Sequence, residues 1–364
     1  MTEERTINPE LVVLAREYRE LTQLELAEKM NLGQSKIAKL EGGIQLDLTE
    51  DQWAKLCSTL GFERRFFYQD WVRLGFGSSA FYYRKKAKLN AADRRRISSV
   101  VNLHLLGMRK YLESVDVQPA RELPQFEPAN FGGDCSDIAQ AVRTAWKLPD
   151  GPIKDLTALI ESAGVLIVPC DFQCDAMDAT SLRLASFPPV IFINSAIPGD
   201  RWRYTLAHEL GHLVMHQVPS ETMEDEADAF AGEFLMPETD IVQSFKTLHK
   251  LDLYNLIVLK QFWRVSVAAL IVRAGRVGFI TEHQQKYLWM QMAKLGFRRV
   301  EPEPIPKEKV QNYPNLFSYL LKELRLSVED VAGFAAIPQV EFLALHASVL
   351  PPDVQQHPRL RLVK

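Results

Sequence analysis

Three residues in this chain have the types and spacing of a metal-assisted hydrolytic centre: His208, Glu209 and His212. On a helix, positions 208 and 212 project from one face, and their imidazoles can reach a single ion at about 2.0–2.1 Å. Glu209 stands one step round the helix, near such an ion but not bound to it. There it can take a proton from polarised water and hand it to a leaving amine. Gly211 removes a side chain where a neighbouring backbone can pack closely. The same five-residue pattern also arises on an apolar helix that happens to hold two core histidines, so the surrounding sequence has to decide.

A catalytic zinc takes three protein ligands and keeps a position open for water. Twelve residues beyond His212 begins Glu224-Asp-Glu-Ala-Asp-Ala-Phe-Ala, a helical stretch whose apolar face is Ala227, Phe230, Ala231 and Phe234. Glu224 and Asp228 lie at i and i+4 on the border of that face, while Glu226 points roughly the other way. Glu224 is therefore the preferred third ligand, with Glu226 as the alternative. Asp228 is placed behind the ligands, where it can orient a histidine N–H. Acids at a helix start also occur as a solvated face favoured by the helix dipole. His216 continues the series 208, 212, 216, but each step of four moves about 6 Å along the axis. It is expected to support or pack, not to ligate. The residues do not single out a transition-state donor; Tyr204 and His249 are the candidates. A thiolate from Cys170 or Cys174 could occupy the open position and hold such a centre inactive, though ordinary free thiols are the plainer reading.

These side chains need a scaffold. Residues 164–169 and 189–194 are short, β-branched and bounded by turn residues, and read as buried strands. The second precedes the motif helix and reads as an edge strand along which an extended substrate aligns, or as an ordinary core strand, the two being compatible. A long helix is expected from Asp200 past His212, and another from about 223 to Met236, stopped by Pro237. Helical patterns also span about 91–116, 134–147 and 238–275. The stretch 301–309, rich in Pro, Glu and Lys, reads as a linker to a last small helical unit at 313–347.

Near the N-terminus a different chemistry shows. Thr22 with Glu25 makes a capping box, and Leu24, Ala27 and Met30 form one face of a short helix. Asn31-Leu-Gly33 is a turn in which Gly33 can take positive φ. A second helix runs from Gln34 to Leu40 with Ile37 and Leu40 inward. Its outward residues, Gln34, Ser35, Lys36 and Lys39, suit base edges and phosphates. Weaker versions of this pattern occur at 259–275 and 326–342, where packing helices are the plainer reading. Pro338 and Glu341 argue against base contacts in the second. Between about 64 and 110, basic residues (among them Arg64, Arg73, Arg84, Lys85, Lys86, Lys88, Arg96 and Arg109) far outnumber acids, which suits either a solvated face or a patch on a nucleic-acid backbone.

Composition sets the limits. With 364 residues, 47% hydrophobic and 24% charged, the chain is ordinary globular protein with room for two or three domains. Its net charge of −3 does not by itself announce nucleic acid. No apolar run approaches the roughly 18 residues of a membrane span. The polar N-terminus and four scattered cysteines suggest a cytoplasmic protein with reduced thiols.

The runs Ile191-Phe-Ile-Asn194, Asp200 to His216 and Glu224 to Pro237 closely resemble the ImmA/IrrE metallopeptidase family, over about 130–280. The resemblance implies a gluzincin-like zinc site with Glu224 as third ligand, and limited cleavage of a bacterial or phage repressor or antitoxin. The family often has Asn where this chain has Asp228. Residues 8–62 resemble the XRE/Cro repressor domains, which implies operator DNA as a partner and allows pairing as a homodimer. The expected architecture is α+β and mainly helical: a helix-turn-helix domain at 1–75, a basic helical connector at 76–125, a zincin-like peptidase domain with a small sheet at 126–280, and a helical region at 281–364. The expected function is that of a zinc endopeptidase with a DNA-binding domain and no membrane partner, with single-stranded DNA as a candidate activator. The alternative is a transcription regulator whose peptidase-like domain senses a ligand and cleaves nothing.

Overall fold

The computed structural model describes residues 6–44, 48–74, 90–115, 118–174, 176–184 and 187–351. It begins with α1 (Pro9–Tyr18), α2 (Gln23–Met30), α3 (Gln34–Glu41) and α4 (Glu50–Leu60). Thr22 and Glu25 cap α2 reciprocally, which fixes where the helix starts and hence its phase. The buried face is Leu26, Ala27 and Met30; Leu24, expected inward, is 51% exposed. The turn differs from expectation too. Asn31 takes the left-handed conformation at φ 53°, and Gly33 is extended at φ −74°, standing just ahead of α3. Asn tolerates that region better than other non-glycine residues, so either position could have served. Ile37 and Leu40 point inward, and an ion pair from Arg16 to Glu41 ties α1 to α3.

Next come α5 (Ala91–Tyr111), α6 (Cys135–Ala145) and α7 (Leu156–Ser162), the last not anticipated, then β1 (Leu166–Cys170), β2 (Ala179–Leu182) and β3 (Val190–Asn194). The sheet order is β1-β3-β2, with β3 parallel to β1 and antiparallel to β2. The strand at 190–194 is thus central, with β1 and β2 at the edges, so 189–194 is the ordinary core strand and not the edge strand. The five consecutive buried residues of β3 suit a strand flanked on both sides and covered on both faces. Ile167, Ile191 and Ile193 pack with the helices that carry the motif, while Leu166, Val168 and Phe192 join a second core with α5 and the C-terminal helices.

The chain continues through α8 (Gly199–Met215), α9 (Met223–Leu235), α10 (Glu238–Lys246), α11 (Leu253–Trp263), α12 (Val267–Arg276), α13 (Glu282–Lys294), α14 (Asn312–Ser318), α15 (Val328–Phe334) and α16 (Gln339–Leu345). Among the described residues no single helix is long and apolar enough to cross a membrane. The stretch at 301–309 is irregular, as a linker would be, but it is pinned down by its charges. Glu308 pairs with Arg203 of α8, both buried, and accepts from the amide and hydroxyl of Thr157. Glu301 accepts from the first amides of α12 and pairs with Lys260, which also holds Asp200. Gly199 makes room, since a Cβ there would collide with the Ile305 carbonyl.

The two weaker helix-turn-helix look-alikes are both docked. The first amides of α12 are occupied by Glu301, and Glu341 of α16 pairs with Arg19 and accepts from the Tyr18 hydroxyl. In the basic region, Arg64, Arg73 and Arg96 pair with Glu50, Glu17 and Glu20. Arg84, Lys85, Lys86 and Lys88 lie outside the described residues.

Candidate metal centre

The centre is built where α8 crosses α9. Gly211 permits the approach: a Cβ there would come within 3.0 Å of Phe230 and 3.4 Å of the Ala227 Cα. His208 and His212, one turn apart on α8, turn their Nε2 atoms toward each other at 3.1 Å. Glu224, in the first turn of α9, lies with its carboxylate 3.5 Å from His208 Nε2 and 3.3 Å from His212 Nε2. One donor atom from each of the three lies within 4.8 Å of the others, the only such group of metal-binding side chains found among the described residues.

The outer ring nitrogens are engaged elsewhere. His208 Nδ1 meets Asp228 Oδ1 at 2.9 Å, and His212 Nδ1 meets His216 Nδ1 at 2.9 Å. With protons on both Nδ1 atoms, both Nε2 lone pairs point at one place, beside a carboxylate. Three electron-pair donors converging without a positive charge among them repel one another, and a divalent cation removes that repulsion. The donor set therefore fits a metal. Without one, a proton takes its place: burial disfavours charging His208, but Asp228 and Glu224 outweigh it and raise its pKa to about 10. Burial, with His208 adding repulsion, pushes His212 down to about 4. Glu224 is held well below the usual carboxylate range because the attraction of the two facing histidines outweighs its burial.

Glu209 is 2% exposed and faces Ser181 of β2. Its burial pushes its pKa up to about 7, against the pull of His208 and Ser181. Its Oε2, like Glu224 Oε1, is buried without a hydrogen-bond partner. A carboxylate so placed can exchange a proton near neutral pH.

Residues 160–274 match the family model of the IrrE N-terminal-like domain, Peptidase_M78. No curated protein matches the chain. The IrrE-like segment holds the sheet, α8, α9 and all the residues just described, and it supports a metallopeptidase-like function in a family that is typically metal-dependent.

Within the IrrE-like segment, the structure brings His208, His212 and Glu224 together and places Asp228 behind His208. Glu226, the alternative ligand, instead meets His216 Nε2 at 2.9 Å. The Tyr204 hydroxyl donates to the Asp228 carbonyl, and His249 is exposed beyond α10. Cys170 is buried in the core on the opposite face of the sheet from α8, which removes it as a ligand. Ser181 was not legible in the sequence, because nothing marked Ala179–Leu182 as a strand beside the motif helix. The link from His216 to Glu226 had a signal, the third histidine at a spacing of four, but its partner lay on another element.

Far from this centre, α3 exposes Gln34, Ser35 and Lys39. Lys36 is half-buried and donates to Gln52 of α4 at 3.2 Å.

Proposed function

We propose that the chain is a zinc-dependent endopeptidase joined to a DNA-reading helix-turn-helix, and that it cuts a repressor- or antitoxin-type protein in a bacterial stress or phage-defence response. The observation that carries the catalytic part is the convergence of two imidazole lone pairs and the Glu224 carboxylate beside a buried, unpartnered Glu209 oxygen. His208, His212 and Glu224 would hold the ion, with Asp228 orienting His208. When bound, zinc supplies Lewis acidity that polarises the scissile carbonyl and acidifies a water. Glu209 would take a proton from an attacking water and return it to the departing amine. Its burial keeps its proton affinity near neutrality, which suits both halves of the transfer. An extended substrate segment aligns along β2, the one of the two edge strands that carries Ser181 beside Glu209.

The DNA-reading part rests on α3, whose Gln34, Ser35, Lys36 and Lys39 are the contacts proposed for a double-stranded operator. Repressor-like modules pair on two-fold sites, so a homodimer on DNA belongs to this reading.

The regulator without proteolysis has one observation in its favour. The helix-turn-helix, α5, one sheet face and the C-terminal helices share a continuous hydrophobic core, a ready path from a sensor to DNA. Glu209→Gln separates the readings. Zinc content should be unchanged, while cleavage of a co-expressed partner, read by comparing the proteome with that of the wild type, should fall about 10²- to 10⁴-fold. Equal proteolysis by both proteins contradicts the mechanism, and no proteolysis by the wild type favours the regulator.

A further inference from the structure

The two histidines of the centre are supported differently. His208 presents its Nδ1 directly to a carboxylate, Asp228. His212 presents its Nδ1 to a third histidine, His216, which turns its Nε2 to Glu226 Oε2; the Thr222 hydroxyl donates to Glu226 Oε1 at 2.7 Å. The sequence of donors and acceptors in this row is forced. For His212 to offer its Nε2 lone pair to a cation, its proton must sit on Nδ1. His216 Nδ1, 2.9 Å away, must then accept, so the His216 proton sits on Nε2 and is donated to the Glu226 carboxylate. Thr222 donates from the other side. No link can be reversed without setting two N–H groups, or two lone pairs, against each other.

The backbone is arranged for this row. The α8 helix ends at His216, at φ −109° and ψ 92°, instead of carrying it another turn along the axis. Thr222 stands just before α9, and Glu226 lies in its first turn. The His216 side chain is only 3% exposed. The row therefore ties the last turn of one helix to the first turn of the next, through the back of a ligand.

We propose that His216 and Glu226 form a directional relay that fixes His212 in its metal-donating tautomer, which makes His216 a positioning residue and not a ligand. This rests on the metal-centre reading given above. The relay brings a negative charge to His212 through one imidazole, strengthening it as a donor as a directly bonded carboxylate would, and it holds the ring plane against rotation.

The test uses the full-length protein and zinc alone, in competition with a chromogenic chelator. His216→Leu should weaken zinc binding by about 10- to 100-fold, the usual effect of losing a group that orients a ligand. His216→Gln keeps an acceptor oxygen and a donor N–H on one side chain and should recover most of that loss. Glu226→Leu should fall between. Long-range ¹H–¹⁵N spectra of the zinc-loaded wild type should show the His212 proton on Nδ1 and the His216 proton on Nε2, a readout that does not depend on any variant folding. Wild-type affinity in His216→Leu, or a His216 proton on Nδ1, overturns the relay and leaves the metal centre standing. Zinc bound no more tightly by the wild type than by His208→Ala overturns both.

Discussion

Among the described residues the chain holds two buried histidine clusters, and they differ in the acids that surround them. In one, His208 and His212 face Glu224, with Asp228 and Glu226 behind them. In the other, His104 of α5 and His346, just after α16, reach the Tyr313 hydroxyl at 3.4 and 3.3 Å, and their rings pack against each other and against Tyr111, Phe317, Phe342 and Phe192. Both His104 and His346 are fully buried, and no carboxylate faces either among the described residues. Burial then dominates: it pushes His104 down to about 3 and, with help from His104, holds His346 well below its ordinary value. At His208 the same burial loses to two acids, and the ring is held charged in the absence of a cation. What lets His208 hold a proton where His104 cannot is the pair of carboxylates within reach, not a difference in burial.

The largest effect expected from this contrast concerns zinc. His212→Leu should weaken zinc binding by more than about 100-fold, beyond the usual loss of an orienting group, while His346→Leu should leave it within a factor of two. Calorimetric titration of the two variants distinguishes them, and equal losses would erase the contrast.

A smaller effect concerns acid stability. His104 and His346 have folded pKa values below the unfolded value of about 6.5, so the unfolded chain takes up protons first as the pH falls. Their contribution is fully present above about pH 6.5 and is lost progressively as the pH falls below it, toward about 3 for His104. Each should add a slope of about 1.4 kcal/mol per pH unit within that window. Urea unfolding of metal-free protein between pH 6.5 and 4.5 should show a shallower slope in His346→Leu than in the wild type; parallel slopes would mean that His346 is not buried neutral.

The smallest effect extends the contrast to the helix pairs. The second helices of the look-alikes are held by Glu301 and Glu341, whereas α3 leaves Gln34, Ser35 and Lys39 exposed. Lys36→Ala with Lys39→Ala should weaken binding to operator-containing DNA and lower the dependence of log Kd on log salt by about one for each phosphate contact removed. An unchanged salt slope in a low-salt gel shift would count against α3 as the reading helix.

Much of this is legible in the residues. A spacing of four puts 208 and 212 on one helix face, and the apolar face at 227, 230, 231 and 234 sets the phase of α9, so periodicity alone turns Glu224 toward the histidines. The Thr22–Glu25 cap marks where α2 begins. What stays hidden depends on distant partners. β2 is four residues of Ala-Thr-Ser-Leu, too short and too mixed to show a strand period, so the edge role falls by pattern to the more apolar 189–194. Glu301 and Glu308 sit in a composition shared by exposed linkers, and nothing local reveals that Lys260 and Arg203 wait for them in buried helices. His104 and His346 come from opposite ends of the chain and belong to no spacing at all. Periodicity reports which face of a helix is buried, but not what it is buried against.

The central claim is that two imidazoles and the Glu224 carboxylate together hold one cation. Zinc-edge X-ray absorption of the full-length protein loaded with one equivalent of zinc tests it directly. The expected spectrum has two imidazole ligands and oxygen donors at about 2.0–2.2 Å, no sulfur, and loses this signature in Glu224→Ala but not in Glu209→Gln. A sulfur shell at about 2.3 Å, or a spectrum unchanged by Glu224→Ala, would contradict it.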